Sequence, residues 1–191
     1  MDRAREFGLS DLSLEPGDHI CAIYLSHRER DEVMLPFIRE GLRGGDKCIC
    51  ILDSVSPLEL LVGVGEGIDA GGYMASQQLE IASSGETYFR SGRFSSREVV
   101  AYLDHSVGAA TRDGRFPFAR VICELPRPPG DSLQEEDLFR HESELDRFAH
   151  RYPQAILCLY DISHFGGGIV LELLKVHHKM LFGDLVFEAP P

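Results

Sequence analysis

Apolar residues in this chain gather into short unbroken runs, separated by longer stretches with helical spacing. The first run, Ile20–Leu25, follows a Pro16-Gly17 turn and contains β-branched and aromatic members, which predicts a buried strand. Lys47–Leu52, Phe118–Leu125 and Ala155–Ile162 repeat the pattern. Leu79–Ala82 and Glu86–Phe89 predict two short strands or one bent strand, and Leu185, Val186 and Phe187 form a closing apolar run. Between the runs lie helical stripes. Val33, Met34, Phe37, Ile38 and Leu42 follow a capping-box pair, Ser26 and Glu29, and Gly44-Gly45 stop that helix. Pro36 inside it is expected to introduce a kink. Ser56-Pro57 opens a second helix, which runs into a flexible Gly-rich segment at 63–72. Ser95 and Glu98 cap a third, with Val99, Val100, Leu103 and Val107 inward. Ser132 and Glu135 cap a fourth, with Leu138, Leu145, Ala149 and Tyr152 inward. A glycine triplet at 166–168 leads into a helix expected over Ile169–Phe182.

Strands alternating with helices predict an α/β fold in three layers, a mainly parallel central sheet with helices on both faces. Residues 1–15 read as a loosely held lead-in tacked on by Leu9, Leu12 and Leu14, and 16–191 as a single domain. The net charge of −12, with no basic stripe, argues against direct contact with nucleic acid or an anionic membrane. No apolar run reaches the length of a membrane span, and no signal peptide is evident. Five cysteines, mostly inside expected strands, fit reduced buried thiols and a cytoplasmic protein.

Ligands of open α/β sheets bind beyond the carboxyl ends of the strands. That edge should carry Tyr24, Ser26, Asp53, Glu124, Tyr160 and Asp161, with Asp53 read first as a cap and Glu124 as a buried carboxylate in need of a partner. Glu142 shares the inward stripe of its helix and also requires a partner, either functional or a salt bridge with Arg120 or Arg140. His19 and Cys21 project from one strand face, and with Cys158 and His177 they raise the question of metal. No CxxC or HExxH motif accompanies them, so no metal ligand is assigned, and structural thiols with a hydrogen-bonded histidine are the first reading. GxSxG, GxxxxGK[ST] and a strand-borne GxGxxG are all absent, which removes the common hydrolase and nucleotide motifs.

In order and spacing, GDHICAIY (17–24), EGLRGGDKC (40–48), YFRSGRF (88–94), RVICE (120–124), Glu142, LCLYD (157–161) and the VHHKML–FEAPP ending resemble the MEDS sensory-domain family. The resemblance implies a relative of the RecA/KaiC-type fold without a Walker A loop, SHRERDE (26–32) occupying that loop's place. It implies a non-catalytic small-molecule sensor for simple hydrocarbon derivatives in signal transduction or transcriptional regulation. Its characteristic positions map here to His19, Cys21, Tyr24, Glu124, Glu142, Cys158, Asp161 and His177 as ligand-binding residues. The glycine triplet after His164 departs from the family pattern. Expected partners are a small-molecule ligand and a signalling protein such as a regulator or kinase, with a homodimer as a further option; the cofactor is left unassigned. The alternatives are a metal- or haem-binding redox sensor and a residual nucleotide-binding hydrolase.

Overall fold

The computed structural model describes residues 5–9, 12–65, 68–126, 135–164, 167–183 and 185–188. The expected cap at Ser132, residues 127–131 of the Pro-rich loop, Gly166 and the closing 189–191 lie outside them. A two-stranded antiparallel ribbon, β1 (Arg5–Glu6) and β2 (Ser13–Leu14), precedes the main sheet. Phe7, Leu12 and Leu14 are buried and Leu9 packs against the same core cluster, the leucines acting as the tacks that the sequence suggests.

The main elements then follow as β3 (His19–Tyr24), α1 (His27–Gly44), β4 (Lys47–Ile51), α2 (Pro57–Val64), α3 (Ala70–Ala75), β5 (Leu79–Ala82), α4 (Ser96–Thr111), β6 (Ala119–Glu124), α5 (Glu135–Ala149), β7 (Gln154–Asp161), α6 (Gly167–Val176), β8 (Lys179–Phe182) and β9 (Leu185–Glu188). Seven strands form one sheet in the order β5-β4-β6-β7-β3-β8-β9, parallel except for the final β8–β9 pair. Every residue of β3, β4 and β6 is buried, as expected for strands covered on both faces.

Alternation of side chains splits the core in two. Ile20, Ala22 and Tyr24 of β3 pack with Met34, Phe37 and Ile38 of α1 on one face. Cys21 and Ile23 pack with Val99 and Leu103 of α4, Leu145 of α5 and Leu173 of α6 on the other. Helices therefore cover both sides of the sheet.

Local signals set most boundaries. The Ser26 hydroxyl accepts from the Glu29 N–H at 3.3 Å, while the Glu29 carboxylate reaches back to the Leu25 N–H at 2.9 Å. Ser56 and Glu59 form a reciprocal capping box. Gly45, at φ +79°, ends α1 in the left-handed conformation that glycine adopts without strain. α1 continues through Pro36 as one assigned helix.

Four expectations are corrected. The Gly-rich stretch contains α3, whose first turn is capped by Asp69 accepting from the Gly72 N–H at 2.9 Å. Glu86–Phe89 is not a strand: a 3-10 turn at Ser84–Glu86 follows β5 directly. Tyr152 lies beyond the end of α5. The last helix stops at Val176, and Lys179–Phe182 instead form β8, because the free edge of β3 supplies a ladder of hydrogen bonds that local periodicity does not reveal.

Candidate functional site

Tyr24 and Glu124 meet at the carboxyl edge of the sheet, on the α1 face. The Tyr24 hydroxyl donates to Glu124 Oε1 at 2.9 Å, and Glu124 Oε2 accepts from the N–H groups of Asp53 and Ser54 at 2.8 and 2.9 Å. Burial, then the neighbouring Glu124 carboxylate, pushes the Tyr24 phenol well above its usual range. It is a hydrogen-bond donor at every physiological pH. Buried Arg30 of α1 donates to the Ser54 carbonyl at 3.0 Å and also to the Ser54 hydroxyl, tying the loop after β4 to the helix. Asp161 pairs in register with Tyr24 and caps the following turn, accepting from the Ser163 N–H at 3.0 Å and its hydroxyl at 2.6 Å. Asp53 acts as a cap too, accepting from the Ser84 N–H at 2.9 Å.

A second polar cluster is buried on the opposite face. His19 of β3, Cys158 of β7, Glu142 of α5 and His177, just past α6, bring one donor atom each to within 4.8 Å of one another. Glu142 Oε2 lies 3.3 Å from His19 Nε2 and 3.1 Å from His177 Nε2. Neither Oε2 nor His177 Nε2 has an aligned hydrogen-bond partner, so these contacts are close but poorly directed. The Tyr160 hydroxyl donates to Glu142 Oε1. Burial opposes ionisation of Glu142, yet the facing imidazoles outweigh it and hold the carboxyl well below its ordinary range. Burial likewise disfavours the His19 cation, but Asp146 and Glu142 reverse the balance and raise its pKa. His177 is lowered by burial and by the adjacent His19. The Cys21 and Cys158 thiols are pushed up, first by burial and then by the charge of Glu142. Among the described residues, this donor set is the one arranged to hold a metal ion.

Residues 18–178 match the family model described as MEDS, the methanogen/methylotroph DcmR sensory domain. This chain belongs to the MEDS family. A curated relative, the transcriptional repressor DcmR of Methylorubrum extorquens, is 27% identical over 166 residues, covering 84% of this chain. The match spans 58% of that repressor's length. No described helix of this MEDS domain is long and apolar enough to cross a membrane.

Among the described residues, the eight positions singled out from the sequence fall into two groups in this MEDS domain. Tyr24, Glu124 and Asp161 belong to the carboxyl edge, and His19, Cys21, Glu142, Cys158 and His177 to the opposite face. Of the two readings of Glu142, the salt bridge with Arg120 or Arg140 is not found among the described residues. Arg120 pairs with Asp46 at 2.9 Å on the α1 face, and Arg140 faces Asp137. Two contributors were missed, Arg30 and Asp146, while Tyr160, expected at the carboxyl edge, turns to the opposite face and meets Glu142. Asp146 was within reach of the pattern, standing four residues after Glu142 and so on the same side of α5. A cleft of about 450 Å³ beside β5, lined in part by Lys47, Glu80, His105, Arg115 and Phe116, involves none of the eight.

Proposed function

We propose that this MEDS domain is a non-catalytic sensor of small molecules, simple hydrocarbon derivatives among them, serving transcriptional regulation or signal transduction in the cytoplasm. Family membership and the repressor relative support the regulatory part of this reading. The observation that carries the sensing part is the Glu124 bridge. One buried carboxylate holds together Tyr24 at the exit of β3 and the Asp53–Ser54 loop at the exit of β4. A ligand that competes for the phenol or for those N–H groups frees one loop from the other. Arg30 passes the change to α1. Such a signal requires only that the ligand bind one arrangement better than the other. A regulator or kinase, or a second copy of the chain, would read the shift from the surface.

Kinship with the RecA/KaiC-type fold belongs to the same reading. It is supported by the interior place of β3 in the parallel sheet and by the turn into α1, where a Ser26 cap stands in place of phosphate-cradling glycines.

Thermal-shift screening against one-carbon and short-chain compounds tests the proposal. Ligand at ten times its Kd stabilises by about 1.4 kcal/mol, which raises Tm by about 3–6 °C in a domain of this size. The same compound should lose most of that shift against Glu124→Gln. A broad screen without a stabiliser, or an equal shift in the variant, removes the Glu124 edge as the sensing site. Saturable binding of a magnesium nucleotide would favour the residual hydrolase instead.

A further inference from the structure

On the α4–α5–α6 face, four donor side chains from separate segments of chain converge with no water-accessible surface to account for them. His19 is 5% exposed, and Glu142, Cys158 and His177 are 2% exposed each. Glu142 Oε2 and His177 Nε2 are buried 3.1 Å apart without a directed hydrogen bond. Burying such groups without a partner forfeits the hydrogen bonds that water would have given them. Protons placed between them do not relieve this, because the donor directions miss the acceptors. A cation at their centre does.

We propose that His19, Glu142, Cys158 and His177 form a tetrahedral site for a divalent transition-metal ion of the zinc type. Zinc bonds nitrogen and oxygen at about 2.0–2.1 Å and sulfur at about 2.3 Å; at tetrahedral angles, neighbouring N and O donors then lie about 3.3 Å apart, and N and S about 3.6 Å. Here the His19 Nε2–Glu142 Oε2 separation is 3.3 Å, His177 Nε2–Glu142 Oε2 is 3.1 Å and His19 Nε2–Cys158 Sγ is 3.4 Å. These three separations lie within a few tenths of an ångström of the tetrahedral values, and all four donors lie within 4.8 Å of one another. Two imidazoles, a thiolate and one carboxylate oxygen suit zinc and its soft neighbours rather than magnesium or calcium. Thiolate and carboxylate together neutralise a doubly charged ion, so the occupied site carries no net buried charge.

The surrounding contacts orient the donors. His177 Nδ1 stands 3.0 Å from the Leu173 carbonyl, an acceptor, which places the proton there and the Nε2 lone pair toward the centre. His19 Nδ1 faces the Asp146 carboxylate at 3.5 Å, the carboxylate–histidine arrangement common behind metal ligands. Tyr160 occupies Glu142 Oε1 and leaves Oε2 as the ligand atom. Four protein donors close the coordination sphere, which describes a structural centre that fastens β3, β7, α5 and the end of α6 together. The inference stands independently of the sensing proposal, since the two use opposite faces of the sheet.

The test is to express the untagged full chain in Co²⁺-supplemented medium, purify it without chelator, and measure bound metal and absorption. One equivalent of cobalt, a thiolate-to-cobalt charge-transfer band and intense tetrahedral d–d bands are expected. Cys158→Ser should abolish the charge-transfer band, His177→Gln should reduce bound metal to background, and Cys50→Ala, altering a thiol on the other face, should change neither. Wild-type protein without bound cobalt overturns the proposal, as does a charge-transfer band that survives Cys158→Ser. Should a variant fail to fold, the wild-type spectrum and stoichiometry decide alone.

Discussion

Glu80 holds its charge against partial burial because three donors face it. Lys47 Nζ lies 2.7 Å from Oε2, and the hydroxyls of Tyr102 and Ser106 lie 2.6 and 2.8 Å from Oε1. Burial raises the carboxyl pKa, but these donors outweigh it and leave the value below the ordinary 4.5. A carboxyl lowered on folding stabilises the protein above its unfolded pKa, and that contribution is lost as pH falls through the lowered value. Glu80→Gln should therefore lower the urea midpoint near pH 7, and the gap from wild type should narrow and close as pH falls through the lowered carboxyl pKa. A gap that persists in acid would show that Glu80 acts through packing alone. At this scale the sequence was partly legible. The inward position of Glu142 follows from its helical spacing, and Glu124 follows from its place inside an apolar run. Their partners do not. Tyr24 and Glu124 are 100 residues apart in the chain, and no local pattern encodes which of several buried groups will meet.

Gly41 shows how closely α1 approaches the sheet. A Cβ there would sit 2.6 Å from Arg120 Cδ and 2.7 Å from Cys48 Sγ. Arg120 cannot withdraw easily: it is 3% exposed, paired with Asp46 at 2.9 Å, and it donates to the Phe37 carbonyl at 3.1 Å. Alanine gains up to about 1 kcal/mol in helix propensity over glycine, whereas overpacking costs about 1–3 kcal/mol. The tethered neighbour decides the sign, so Gly41→Ala should destabilise by about 1 kcal/mol. The check is a lower urea midpoint at unchanged m. Elements whose ends are written in local chemistry were legible: the Ser26, Ser56 and Ser95 caps and the Gly45 stop fall where the sequence places them. The segment at 179–182 was not. Four residues with an apolar centre suit a helix end as well as a strand, and only the open edge of β3 selects between them.

Across the whole molecule, β3 is the axis of the sheet, flanked by β7 and β8 in parallel register. Met180 and Leu181 of β8 are each 1% exposed. A chain ending at residue 178 would forfeit both side chains, at about 1.5–3 kcal/mol each, and would uncover the hydrogen-bonding edge of β3. Loss of soluble expression, or a much lower urea midpoint, is the expected outcome. Cooperative unfolding at the wild-type midpoint would mean that β8 and β9 are dispensable.

The same placement has a consequence for biosynthesis. β3 leaves the ribosome before β4, β5 and β6, yet the strands that flank it, β7 and β8, are translated only after all three. While β4, β5 and β6 are being made, its six apolar-rich residues have neither flanking strand in the nascent polypeptide. Pairing of β3 must therefore wait for β7 and β8 to emerge, and until then the chain is a natural client for a holding chaperone.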